Sequence, residues 1–148
     1  MEAMETNHII LNKWLIPEEC WKALAIPTTN GRFRIEAFGD VATVTCARNY
    51  IRIIKSHDWV TFGVWTKNPD IWVAAFEMEG GKPENMTFLV SSPFLNVIAN
   101  IPEAWKKYVD HVFTVYNKKD VEINCGARDC KTCDRLADRK SGSAGMPR

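Results

Sequence analysis

The chain has 148 residues, enough for one ordinary domain with its own core. Hydrophobic residues make up 46%, with six tryptophans and seven phenylalanines, which excludes disorder along the whole length. Nineteen basic residues stand against 18 acidic ones, so no overall field draws the chain to nucleic acid or to an anionic membrane.

The opening Met-Glu-Ala-Met-Glu-Thr-Asn lacks the basic-then-apolar order of a secretory signal, and no apolar run approaches the ~18 residues of a membrane span. Five cysteines, three of them within residues 125–133, fit reduced thiols better than a disulfide framework, so a cytoplasmic location is expected.

In chain order, residues 1–7 are expected to fray. A short helix is predicted near 17–25, where Pro17 suits the first helical position and Glu18 and Glu19 suit the positive end of the dipole. Segments 33–38, 41–46, 50–55, 59–65, 71–78 and 86–91 are rich in Val, Ile, Phe, Thr and Trp. They are divided by Gly39-Asp40, Arg48-Asn49, His57-Asp58, Asn68-Pro69-Asp70 and Gly80-Gly81-Lys82-Pro83. Read as strands with such brief connections, they pair antiparallel, because a parallel crossover needs a dozen residues or more. Ser92-Pro93 is expected to open a helical turn through Ala99. Residues 102–112 read as the strongest helix, with Ile101, Ala104, Trp105, Tyr108 and Val112 on one stripe. A last strand is expected at 113–116 or 121–123.

The predicted fold is therefore α+β: an antiparallel five- or six-stranded sheet packed on one face by two or three helices. It spans 8–123 as a single domain. Residues 124–148 form a tail that is flexible by composition after about 140. That tail carries a net charge of +3 against −2 for the rest of the chain.

The sharpest local signal lies in the tail, at Cys125, Cys130 and Cys133. A Cys-x2-Cys step lets two thiolates converge on one tetrahedral ion, and Cys125 is near enough to supply a third. Arg128, Lys131 and Arg135 stand beside them in sequence; such neighbours would favour the metal-binding thiolate and would offer a basic surface to a partner. Zinc is the expected ion. Its fourth ligand would come from Cys20, Cys46, His111 or Asp134, with Cys20 the leading candidate.

A second pattern runs from Gly39-Asp40-Val41-Ala42 to Asn49-Tyr50-Ile51-Arg52-Ile53-Ile54-Lys55. Over residues 17–56 the order of elements resembles the core of the PD-(D/E)XK nucleases. In that superfamily an Asp opens one strand and an acid-x-Lys triplet lies on the next. The resemblance implies metal-binding and water-activating roles for Asp40 and Lys55. Ile53 occupies the place of the second metal-binding acid, and an alkyl group cannot hold magnesium. Glu36 or Asp58 would have to substitute, and a degenerate domain is implied. Members with an iron–sulfur cluster pair one upstream cysteine with three near the C-terminus, an order that Cys20, Cys125, Cys130 and Cys133 follow.

Strand alternation places Trp59, Thr61, Gly63 and Trp65 on one face, where two indoles flank a small floor that suits a flat ligand or a base. Glu77 and Glu79 fall two apart on one expected strand. The leading expectation is a non-enzymatic interaction module whose zinc-ordered tail meets nucleic acid or a protein partner. A nuclease-like domain and a small-molecule binder using the Trp59/Trp65 face are the alternatives.

Overall fold

A computed structural model describes residues 2–28, 30–35 and 40–115. The elements run α1 (Glu2–Lys13), α2 (Glu18–Lys22), β1 (Arg32–Ile35), α3 (Val44–Ser56), β2 (Thr61–Thr66), α4 (Pro69–Met78) and β3 (Met86–Ser91). A 3-10 turn at Glu103–Trp105 and β4 (His111–Phe113) follow.

The four strands form one sheet in the order β1-β2-β3-β4, and every pair is parallel. The mixture of helices with a sheet is as expected, but the antiparallel arrangement of five or six strands is not. Segments 50–55 and 71–78 are helical, and 41–46 leads into α3. What looked like brief turns between strands are helix ends, so the true connections are long enough for parallel crossovers.

The α3 segment is rich in β-branched residues, yet its apolar spacing has helical period. Ala47, Ile51 and Ile54 are fully buried along one stripe, while Arg48, Arg52 and Lys55 line the other side. Thr43 caps the start, its side chain accepting from the Cys46 backbone N–H at 3.1 Å. Asn68-Pro69 begins α4, with proline in the first turn where its missing N–H costs nothing. Its end is a Schellman closure: Gly80 takes φ 78° and the Gly81 N–H reaches the Phe76 carbonyl at 2.7 Å.

One face of the sheet meets α3 and α4. Register stacks Phe33, Phe62 and Met86 in one row and Ile35, Val64 and Phe88 in the next. These pack with Ile51, Ile54, Trp72 and Phe76 into a single core. Phe76 meets Phe88 edge-on at 5.2 Å, the arrangement their ring quadrupoles favour.

Residues 2–13 form α1, where a frayed start was expected. It is tied down by Asn49, fully buried on α3, which donates to the carbonyls of Leu11 and Trp14 and accepts from the Ile16 N–H. The expected helix over 102–112 shrinks to the 3-10 turn, because the chain must swing round to place His111 beside Leu89 in β4. Tyr108 is still buried in the core and Trp105 packs against it. No helical turn forms over 92–99: Asn96 takes φ 61° and breaks the run. Among the described residues no helix is long and apolar enough to cross a membrane.

Candidate functional site at the C-terminal edge of the sheet

All four strands point the same way, so their C-terminal ends share one edge with the starts of α3 and α4 and the long segment after β3. In parallel α/β folds side chains from successive strand–helix connections converge at this edge. Asp40, Thr66, Lys67, Ser91 and Ser92 lie here.

Asp40 anchors the edge. Its Oδ1 accepts the Val41 N–H at 2.8 Å and the Thr66 hydroxyl at 2.8 Å. Its Oδ2 accepts the same hydroxyl at 3.0 Å and the Lys67 N–H at 2.7 Å. Thr66 is buried and its Oγ1 also accepts the Asn68 N–H at 2.9 Å. The carboxylate thus fixes the turn that carries Lys67.

Beside Lys67 opens a cleft of about 350 Å³ between the end of β3 and the segment leading to Ile101. Among the described residues Lys67 is the only ionisable side chain in its lining. Ser92 and Asn100 add neutral polar groups, and Phe94, Val97 and Ile98 form an apolar wall. Phe94 is 68% exposed and Ile98 67%, although both are large and apolar. Ser92 shapes the wall from behind: its N–H donates to Phe113 O at 2.8 Å and its hydroxyl to Phe94 O at 3.1 Å.

A larger cavity, about 480 Å³, sits at the opposite edge, where Lys82 and Asp110 pair at 2.5 Å. Asp110 also accepts the Phe88 N–H at 2.7 Å, so it ties β3 to the segment before β4. That cavity lies at the N-terminal ends of β3 and β4, the edge away from the strand–helix connections.

Those expected site residues that the structure describes are scattered. Lys55 lies on α3, not on a strand, and its Nζ donates to the Glu79 carbonyl. Asp40 precedes the start of the same helix, so roughly 16 Å of helix axis separates the two ends and the structure does not bring the pair together. Asp58 is exposed in the loop beyond α3, at the edge away from Asp40. Glu36 lies outside the described residues.

Trp59 and Trp65 do not share a platform. Trp59 precedes β2, 69% exposed, with its ring 4.9 Å from that of His57. Trp65 stands near the far end of β2, roughly 20 Å along the strand direction, and holds the Arg34 guanidinium 3.8 Å over its ring. It faces away from the core that Phe62 and Val64 enter.

Glu77 and Glu79 belong to the end of α4, not to a strand. Tyr108 donates to Glu77 at 2.6 Å, which with Lys107 holds that carboxyl below its usual value. For Glu79, burial pushes the carboxyl up, but hydrogen bonds from Arg52 and Arg48 outweigh it and hold it low. Cys20 is exposed on α2, and Cys46 is buried on α3 rather than in a strand. Cys125, Cys130, Cys133, Asp134, Arg128, Lys131 and Arg135 lie outside the described residues. Among the described residues no cluster of three His, Cys, Asp or Glu side chains could hold a metal.

Asp40 was singled out in the sequence as a metal-binding candidate, and the structure places it at this edge as a hydrogen-bond acceptor that fixes the Lys67 turn; Lys67 and the 93–98 wall were not singled out. The available signal was the uncharged stretch Ser91–Ile101, whose large apolar residues follow no helical or strand period.

No curated protein and no solved structure matches this chain. Residues 19–145 match the GP88 family, described as gene product 88, and the chain belongs to that family.

Proposed function

We propose that this chain is a binding domain that takes a small molecule in the cleft at the C-terminal edge of its parallel sheet. The observation that carries the reading is the cleft's composition and place: an exposed wall of Phe94, Val97 and Ile98 facing Lys67, on a turn fixed by Asp40. Large apolar side chains left in water at a concave edge are a cost to the folded chain that a ligand relieves. A fragment mixture followed by two-dimensional amide NMR tests the reading. Hits are expected to move the signals of Lys67 and residues 91–101. Hits confined to the Lys82–Asp110 cavity, or none at all, would refute it.

A second reading rests on the cysteine spacing: the tail of Cys125, Cys130 and Cys133 holds zinc and serves as a contact for a partner, through the basic residues beside it. Exposure of Cys20 supports it as the fourth ligand, whereas Cys46 is enclosed by the core.

A further inference from the structure

The cleft's electrostatics narrow the ligand further, on the premise that the cleft is the binding site. From Ser91 to Ile101 the chain carries no charged residue, and the opposite wall contributes one cation, Lys67. Among the described residues no carboxylate lines the cleft. Of the acids described at this edge, Asp40 is already engaged by the Thr66 hydroxyl and by the backbone N–H groups of Val41 and Lys67, and Asp70 is an exposed residue in the first turn of α4, outside the lining.

A cationic ligand would therefore meet a like charge and no carboxylate among the described lining residues. A purely apolar ligand would cover the wall and leave the ammonium without a partner at the rim. An anion joined to an apolar body satisfies both halves. One ammonium matches one negative charge, so a carboxylate is neutralised where a phosphate dianion would be left half-paired.

We infer that the cleft binds an amphipathic carboxylate: its alkyl chain or ring lies against Phe94, Val97 and Ile98, and its carboxylate meets Lys67. The apolar wall supplies affinity, and the lysine sets the orientation and rejects cations. Lys67 lies at the exposed rim, so its share is modest, roughly fivefold at most for a solvent-exposed pair, and falls with salt.

Octanoate, 1-octanol and octyltrimethylammonium, titrated below their aggregation limits into the full chain and followed by amide NMR, separate the terms. Their alkyl chains match to within one carbon, and their head groups are negative, neutral and positive. Octanoate is expected to bind roughly fivefold tighter than octanol, with shifts at Lys67, Val97 and Ile98, and the ammonium compound weakest. K67Q, a change at an exposed side chain, should equalise octanoate and octanol. Equal binding of octanoate and octanol by the unaltered chain, or a preference that survives K67Q, overturns the ligand class and leaves the cleft standing. Octanol that fails to move Val97 and Ile98 overturns the cleft itself, and this inference with it.

Discussion

Asp40 holds the Thr66 hydroxyl with both carboxylate oxygens, at 2.8 and 3.0 Å, across the C-terminal edge of the sheet. The contact joins the segment after β1 to the end of β2, and Thr66 is 1% exposed. Removing the carboxylate leaves a buried hydroxyl without its acceptor and two N–H groups unpaired. Asp40→Ala is therefore expected to cost about 2 kcal/mol in urea unfolding. Thr66→Val, which deletes the other partner at nearly constant shape, should cost less. The two changes should also be coupled: the double variant is expected to lose less than the sum by about 1 kcal/mol. Strict additivity would show that the contact contributes nothing.

Asn49 makes a sharper case, because its environment is sided. The amide group faces two carbonyls, Leu11 and Trp14, while its oxygen faces the Ile16 N–H. Asn49→Ala should cost about 3 kcal/mol, on the order of one per lost hydrogen bond. Asn49→Asp should be worse at neutral pH, although it is nearly isosteric. A carboxylate there turns an acceptor toward two acceptors in a site with no solvent exposure. Such a group has a raised folded pKa, so the penalty grows as pH rises and eases under acid. Thermal melts of both variants at acid and neutral pH check the order, and an aspartate variant as stable as the alanine one at neutral pH would contradict it.

How far the sequence announced this arrangement depends on which periodicity a segment carries. β2 and β3 were legible as strands, since residues such as Phe62, Val64, Phe88 and Val90 alternate toward the core. α3 was not, because Val44, Thr45, Ile51, Ile53 and Ile54 suit a strand by propensity while their burial follows a helix. The Arg48, Arg52 and Lys55 stripe at helical spacing was the overlooked signal. At α4, Asn68-Pro69-Asp70 was read as a turn although the same residues open helices. Mistaking two helices for strands turned a parallel sheet into an expected antiparallel one. It also hid the shared C-terminal edge, so Asp40 was singled out without the Lys67 it positions.

Glu79 links α4 to α3 by accepting from Arg48 at 2.7 Å and Arg52 at 3.0 Å. Its carboxyl is lower in the folded state than in the unfolded chain, despite the opposing effect of burial. The sign follows from linkage. Stability from this group is present above the ordinary carboxylate value, about 4.3, and is lost as pH falls through the lower folded value. Glu79→Gln keeps the shape and removes the charge. The unaltered chain should be the more stable near neutrality, and the gap should close under acid. A gap that stays constant down to pH ~3 would mean that Glu79 acts by packing alone.

The cysteines carry the last prediction. Three thiolates around one ion share its charge, so losing any one opens the site and releases most of the metal. Cys130→Ser and Cys133→Ser should each lower bound zinc as far as the double change does. The structure separates the two remaining candidates among the cysteines: Cys20 is exposed on α2, whereas Cys46 is 3% exposed within the core. Cys20→Ser is thus expected to release zinc as well. Cys46→Ser should leave zinc content unchanged and instead lower stability, because it sets a hydroxyl among Ala47, Ile51 and their neighbours. Zinc measured in protein purified without chelator decides the matter. Metal-free wild-type protein whose three tail thiols react freely would end the zinc reading, and loss of metal in Cys46→Ser with Cys20→Ser unaffected would reverse the ligand assignment.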